Sequence, residues 1–319
     1  MTPAVVYYDS QAVTGQVVLW QGIRGAGKPG RYLISGTGAA NGILYDGSIS
    51  GVHGRTVPVN FPGAFVTSVY GPDLLGHNQV RLVGIYRTAS DPASVHGFYY
   101  QGPMSIRGLN LPGNYHSIDY AGAQYNYVHS TSGTLAVGNE SSYLVEGEPV
   151  NAYIDSLKTG QFTSIDYPGA QSTTAYGVWH NSGSNYTITG GYVTGTGGAG
   201  FLVDYNASTG SFTDWMSISY PNTAVGPDAV THIEVISSIK NGVYTLSGDS
   251  YPSDSFSSGT GLFITVKRNC NGTFGNPSFV TLSYPDSTGI TSANSVYGNQ
   301  VVGIVTGNSP PPYQATVKP

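Results

Sequence analysis

The feature that most limits what this chain can fold into is a short apolar segment ending in glycine, which recurs six times along 319 residues. The copies are LISG to Gly36, RLVG to Gly84, LAVG to Gly138, TITG to Gly190, TLSG to Gly248 and QVVG to Gly303, spaced 48 to 58 residues apart. The residues after Gly303 and those up to Gly36 together make one further period, so six units account for the chain and one is divided between its ends. A period of this length is the mark of a repeated supersecondary unit that cannot bury its apolar face alone.

Each unit carries a second apolar segment after a loop, namely GILYDG at 42–47, GFYYQG at 97–102, NAYIDS at 151–156, GFLVDY at 200–205, GLFITV at 261–266 and PYQATV at 312–317. A third ends in an aromatic turn: NFPGA, DYAGA, DYPGA, SYPNT and SYPDS at 60–64, 119–123, 166–170, 219–223 and 283–287. Its sixth copy, AVVYYDS at 4–10, stands at the other end of the chain. A fourth leads back to the glycine-ending one, as in TTAYGVWHNSG at 173–183. Short alternating segments with frequent turn signals and no sustained 3.6-residue period argue all-β structure. Four antiparallel strands per unit, repeated radially, predict a six-bladed β-propeller forming a single domain over 1–319, its last blade closed by the N-terminal strand so that no edge is left open. The small glycines are expected to let neighbouring blades approach closely near the axis.

The run TAYGVWHNSG, YTITGGY and AGFLVDY resembles the HAF repeats of extracellular propeller-type proteins, most clearly at 164–210 and 288–306. That resemblance implies fold and export and carries no assigned chemistry. In such propellers the strand after the aromatic turn is innermost, which assigns 14–22, 67–76, 124–130, 173–181, 229–238 and 290–298 to the channel. The turn loops and the loops after the glycine-ending strands, longest at 85–96, 139–150 and 249–260, then share one face, where variable loops on a rigid scaffold commonly carry function.

Composition narrows the partners. With 12 basic against 17 acidic residues there is no basic stripe for phosphate, so no nucleic-acid partner is expected. No polybasic run and no long apolar segment point to a membrane. Low charge, many Gly and Tyr and few Lys suggest an extracellular or secretory-pathway protein, although no signal segment is visible in the first twenty residues. The sequons at Asn139, Asn185, Asn206 and Asn271 are about as many as chance supplies, and Cys270 stands alone. No HExxH, DxDxDG, GxSxG, P-loop or GxGxxG motif occurs in a fitting context, so neither cofactor nor metal is expected.

His232 and Glu234 break the repeat pattern. Alternating on an inner strand they point to one side, where an imidazole beside a carboxylate can act as general acid or base. A satisfied polar pair plugging the channel is the plainer reading, and Asp228 just upstream either assists or caps a turn. Tyr176 and Arg87, the latter with His96 in a long ligand-face loop, complete the candidate catalytic set. Trp20, Tyr70, Tyr125, Tyr127, Trp179, Asn294 and Tyr297 on the inner strands form a candidate substrate-binding wall, with packing between blades as the alternative. His77, His129 and His180 recur near hairpin tips, which favours a shared turn contact over a three-histidine metal site.

Three functions follow. One is a cofactor-free enzyme that shapes and polarises an aromatic or apolar small molecule, holding reactants in a near-attack arrangement worth roughly 7–11 kcal/mol in favourable cases. In general character it is similar to the fungal hetero-Diels-Alderases of tropolonic sesquiterpenoid pathways, a likeness that implies joining a quinone-methide-like diene to a terpene alkene, with His232, a Tyr or an Arg on the diene oxygen. The second is a carbohydrate-binding or adhesive propeller with several equivalent weak sites. The third is a hydrolase or lyase using His232, Glu234 and Asp228. A purely structural surface module needs no ligand at all.

Overall fold

The computed structural model describes residues 4–9, 18–51, 54–142, 150–195, 197–221, 229–240, 242–252, 259–287, 289–305 and 312–318. Asp228 and residues 14–17 of the expected first inner strand lie outside them. The described residues are almost all strand, with β1 at Ala4–Asp9, β2 at Leu19–Gly25, β3 at Tyr32–Thr37, β4 at Gly42–Gly47 and β5 at Arg55–Val59. Next come β6 (Ala64–Gly76), β7 (Gln79–Thr88), β8 (Asp91–Pro103) and β9 (Tyr115–Ile118), then β10 (Tyr125–Ser132), β11 (Leu135–Ser141), β12 (Asn151–Ser156) and β13 (Gln161–Ile165). The remainder are β14 (Ser172–Ser182), β15 (Asn185–Thr194), β16 (Gly197–Asn206), β17 (Ser211–Ile218), β18 (Ala229–Lys240), β19 (Val243–Pro252), β20 (Thr260–Lys267), β21 (Ser278–Leu282), β22 (Thr291–Tyr297), β23 (Gln300–Val305) and β24 (Tyr313–Lys318). Among the described residues helix is confined to the single turn Ile106–Leu109 and a shorter 3-10 turn at Pro112–Asn114.

The strands pair antiparallel in consecutive fours, β2 to β5, β14 to β17 and β18 to β21 each forming its own sheet. β6 to β9 and β10 to β13 are two such groups joined by one parallel bridge between Val95 and Tyr125. The last sheet runs β22, β23, β24, β1, so the N-terminal strand does complete the C-terminal unit, Ala4 opposite Lys318 and Asp9 opposite Tyr313.

The groups pack face to face in chain order. Leu33 and Leu44 of the first group share an apolar layer with Leu82 and Phe98 of the second, and Val83 and Ile118 share one with Val128 and Tyr153 of the third. The series continues through Ile154 with Ile188, Leu202 with Leu246, and Phe263 with Val301. It returns to its start where Val302 of the last sheet enters the cluster of Trp20, Ile34 and Tyr45. Each fully buried aliphatic or aromatic side chain in these layers contributes about 1.5–3 kcal/mol. The leading strands of the groups, β2, β6, β10, β14, β18 and β22, touch one another in the same cyclic order, β22 against β2.

The aromatic turns have a further partner that fixes each entry to a leading strand. The backbone N–H groups of Phe61, Tyr167, Tyr220 and Tyr284 donate to the hydroxyl oxygens of Thr67, Thr173, Thr231 and Thr291 at 2.8–3.0 Å. Tyr120 N–H donates to Asn126 Oδ1 in the same way. These five acceptor residues are buried, and the bond satisfies them.

The recurrent glycines have a cause that differs from the expected one. A Cβ at Gly36, Gly84, Gly138, Gly190, Gly248 or Gly303 would collide with the carbonyl oxygen of Leu19, Ser68, Tyr127, Thr174, His232 or Ser292 respectively. Each of those carbonyls belongs to the leading strand of the glycine's own sheet. The glycine makes room within its sheet, not for the neighbouring one.

Candidate functional site

What displaces those carbonyls is a β-bulge. The pairing of every leading strand with its neighbour slips at a corresponding point, at Gln21, Tyr70, His129, Tyr176 and Glu234, and across Ala293 and Asn294 in the last sheet. Each crowded carbonyl lies two residues before Gln21, Tyr70, His129, Tyr176, Glu234 or Asn294. A bulged residue leaves the ladder and its side chain is re-aimed. All six line one axial cavity of about 240 Å³, together with Tyr127, His232 and Val235. Each side chain is half-buried between buried neighbours. In five of the six strands a Gly or Ser follows the bulge and lets adjacent leading strands close up. Gly22 leaves no room for a Cβ beside the Tyr70 carbonyl, while Ser130 Oγ and Ser295 Oγ accept from Val178 N–H and Ile23 N–H of adjoining groups.

Tyr176, His232, Glu234 and Asn294 also border a larger cavity of about 710 Å³. Val150, Val193, Val230, Ile290 and Ile304 give it an apolar collar, and Thr174, Asp249, Tyr251 and Ser292 extend its polar floor. A third space of about 220 Å³ adjoins it beside Tyr125, Tyr127, His129, Asn139 and Glu140. No Lys or Arg lines any of these three spaces.

On β18 the alternation places His232 Nδ1 3.1 Å from Glu234 Oε1, with 21% and 24% of the two side chains open to the cavity. Burial alone disfavours charge on both, but each is the other's counter-ion at hydrogen-bond distance. His232 therefore holds its proton to higher pH than a free imidazole, and Glu234 stays ionised to lower pH than a free carboxyl. Tyr176 stands edge-on to His232, ring centres 4.5 Å apart, and burial, then the Glu234 charge, push its hydroxyl far above the ordinary phenol range. It is a neutral donor or acceptor at any working pH. Beside the pair, burial and then the Glu234 charge raise Asp249 to about 7. Its carboxyl oxygens accept from Ala293 N–H at 3.0 Å and Ser292 Oγ at 2.7 Å. Asn139, one residue after the corresponding glycine, makes the same bridge by accepting from Ala175 N–H at 2.7 Å.

Away from these three spaces, Arg24 ties three leading strands together. Its guanidinium reaches from β2 to donate to Val178 O on β14 and Ile236 O on β18 at 3.3 and 3.2 Å, and lies over the Trp179 ring. Trp179 and Tyr297, expected in the substrate wall, meet each other here at 6.4 Å and line none of the three cavities. Trp20 is fully buried against Tyr45 in the layer between first and last sheets, because the bulge that turns Gln21 to the axis turns its neighbour away. Tyr125 is also largely core and reaches only the smallest space.

Arg87 and His96 are not in a loop. β7 and β8 run through 85–96 with a tight turn at Ala89–Ser90, which puts Arg87 opposite Val66 on the flank and His96 beside Asp119 at 3.1 Å, away from the axial cavities. The three recurring histidines also part company. His180 makes the expected turn contact with Gly183 O at 2.8 Å, His77 sits in a turn with positive φ, and His129 faces the cavity. His129 is the site residue that sequence reasoning passed over, and Gln21 is another. Among the described residues no group of three His, Cys, Asp or Glu is arranged to hold a metal ion. The Asn139 sequon is buried in a strand, whereas Asn185 and Asn271 are exposed.

No family model matches the chain, and no characterised protein matches its sequence. Among solved structures, a gluconolactonase-type protein described as putative superposes with a TM-score of 0.49 at 11% identity, over 99% of this chain and 92% of that one. A structure described as the Dos1 propeller gives 0.48 at 6% identity over 99% and 94%. The GH43_1 enzyme from Xanthomonas citri complexed with xylose gives 0.46 at 10% over 85% and 93%. Such distant likenesses carry no chemistry, and the likeness to HAF repeats and hetero-Diels-Alderases stays one of pattern.

Proposed function

We propose that this chain is a six-bladed β-propeller enzyme that takes one partly apolar small molecule into its axial cavity and acts on it through His232 and Glu234. The observation that carries this reading is the ring of bulges. Six units contribute one re-aimed side chain each, and the six together, Gln21, Tyr70, His129, Tyr176, Glu234 and Asn294, are chemically uneven. A lectin or adhesin working by avidity needs equivalent residues at equivalent positions. An uneven ring suits one unique site.

The chemistry follows from the pair. Glu234 favours the protonated form of His232, which in that form can donate to a carbonyl or enone oxygen of the ligand, and Tyr176 supplies a second neutral hydrogen bond. Charge developing on that oxygen is then stabilised by donors already in place. An apolar portion of the ligand fits the collar of Val193, Val230, Ile290 and Ile304. Polarisation of a conjugated oxygen together with confinement of an alkene suits a cofactor-free cyclisation, of which hetero-cycloaddition between a quinone-methide-like diene and a terpene alkene is one form.

Hydrolysis is a second reading, favoured by one feature: the neighbouring carboxyls of Glu234 and Asp249 are driven in opposite directions, the arrangement that separates an acid from a base. An exported setting is proposed with either.

The test is a thermal-shift screen of wild type, His232→Ala and Tyr176→Ala against aromatic terpenoid-like compounds and oligosaccharides. Stabilisation by the apolar panel that both substitutions abolish is expected. Stabilisation by sugars alone, indifferent to both substitutions, would remove the axial enzyme site.

A further inference from the structure

We propose that His129 is the hydroxyl acceptor of the axial site: its neutral imidazole takes a hydrogen bond from a hydroxyl group of the bound molecule, while the His232–Glu234 pair works on another part of it. The proposal rests on the axial cavity being the ligand site. His129 stands at the bulge of β10, so its side chain leaves the ladder and borders two of the three cavities.

Its ring lies nearly parallel to those of Tyr70 and Tyr127, with centres 5.2 and 5.9 Å away, and packs against Tyr176 at 4.4 Å. Packing alone does not call for an imidazole here, since Tyr70 and Tyr176 fill the corresponding positions of the flanking units. A polar ring in such surroundings costs free energy unless its nitrogens find partners. Among the described residues none donates to or accepts from the His129 ring, which borders the cavity.

The charged and phenolic groups facing it have partners of their own, which leaves the imidazole to a ligand. Tyr70 comes from β6, Tyr127 from its own strand, Glu140 from β11, Tyr176 from β14, and His232 with Glu234 from β18. Glu234 is engaged by His232, Glu140 accepts from Asn151 Nδ2 at 2.7 Å, and Thr174 is beside the Tyr176 hydroxyl. Burial is the main influence on His129 and lowers it to about 4, with Glu234 acting against that and His232 with it. A neutral imidazole offers one lone pair and one N–H. The lone pair is therefore present at any pH above about 4.

The experiment uses phenol and anisole as probes, which differ in the hydroxyl donor, and reads dissociation constants together with the His129 ring 15N shifts in wild type, His129→Phe, His129→Gln and Glu234→Gln. Phenol is expected to bind wild type about tenfold more tightly than anisole, the size of one hydrogen bond of about 1.4 kcal/mol. That preference disappears in His129→Phe, is partly restored by the amide oxygen of His129→Gln, and falls away as pH drops through about 4. Phenol, and not anisole, shifts one His129 nitrogen. Glu234→Gln keeps the preference, so failure of the acid–base pair and failure of this inference give different results. Equal binding of the two probes, a preference that survives in folded His129→Phe, no 15N shift, or no binding of either probe in the axial cavity would each overturn it. Should His129→Phe not fold, the wild-type 15N response and the His129→Gln constants decide alone.

Discussion

Asp249→Asn is expected to stabilise the protein at neutral pH and to do nothing for it in acid. Asp249 is buried, and its carboxyl is held protonated to about 7 against an ordinary value of 3.8. Between those two values the unfolded chain gives up this proton and the folded chain keeps it, so stability present below about pH 4 is lost as pH rises to about 7. Three pH units at about 1.36 kcal/mol each set an upper bound of about 4 kcal/mol, and relaxation around the charge leaves about 2 as the working figure. The amide keeps the geometry. Asn139 shows at the corresponding position that Oδ1 of an asparagine accepts the same inter-sheet N–H, from Ala175 at 2.7 Å. The assay is urea unfolding of both proteins at pH 4, 5.5 and 8. The variant should match wild type at pH 4 and exceed it by about 2 kcal/mol at pH 8. A difference that does not change with pH would refute the reasoning. Loss of ligand response in the same variant would show what wild type gains by keeping an ionisable group there at a cost in stability.

Removing the bracket at an aromatic turn by Thr173→Val should cost about 1–2 kcal/mol in urea unfolding, because Tyr167 N–H loses its 3.0 Å acceptor, and Thr173→Ser should restore it. Arg24→Met should cost about 1–3 kcal/mol in urea unfolding, since the carbonyls of Val178 and Ile236 lose their buried donor. In Glu234→Gln the burial of His232 loses its main opposition, leaving only Asp249, so its 15N titration should move to lower pH, and an unmoved titration would mean the 3.1 Å pair is not the cause. Asp155, raised by burial to about 6, has one carboxyl oxygen without a partner among the described residues, and Asp155→Asn should stabilise the fold above that pH and leave it unchanged near pH 4.

The fourfold strand grouping, the leading strands and the closure of the last sheet by residues 4–9 are legible in the sequence because each rests on local alternation and on a period that repeats. Tyr70, Tyr127, Tyr176 and Asn294 are legible as lining residues too, but the same regularity hides Gln21 and His129. A bulge adds one residue to a strand and reverses which side chains face inward, so a reading by strict alternation takes Trp20 for a channel residue and passes over Gln21 beside it. The glycines were the available signal. Each is the imprint of a bulge, since the carbonyl that excludes its Cβ lies two residues before the side chain turned to the axis. His129 was discounted because it repeats near a hairpin tip with His77 and His180, a likeness of spacing that the bulge breaks. Arg87 was misplaced for another reason. The residues after Gly84 read as a polar loop but continue as strands paired to each other, Tyr86 opposite His96, and the side chains end on the flank. His232 and Glu234 were legible because both lie on one strand, where alternation alone brings them together.

The central claim is that the bulge ring is a ligand site. The most direct test is a crystal structure of the protein soaked with a fragment set that includes phenol, enones and monosaccharides. The account predicts an oxygen-bearing fragment between Tyr176, His232 and Glu234, with its apolar part toward Val230 and Ile290. Fragments found only on the outer faces, for instance in the polar cleft of Asn181, Asp204 and Arg268, with the axial cavity holding water alone, would contradict it.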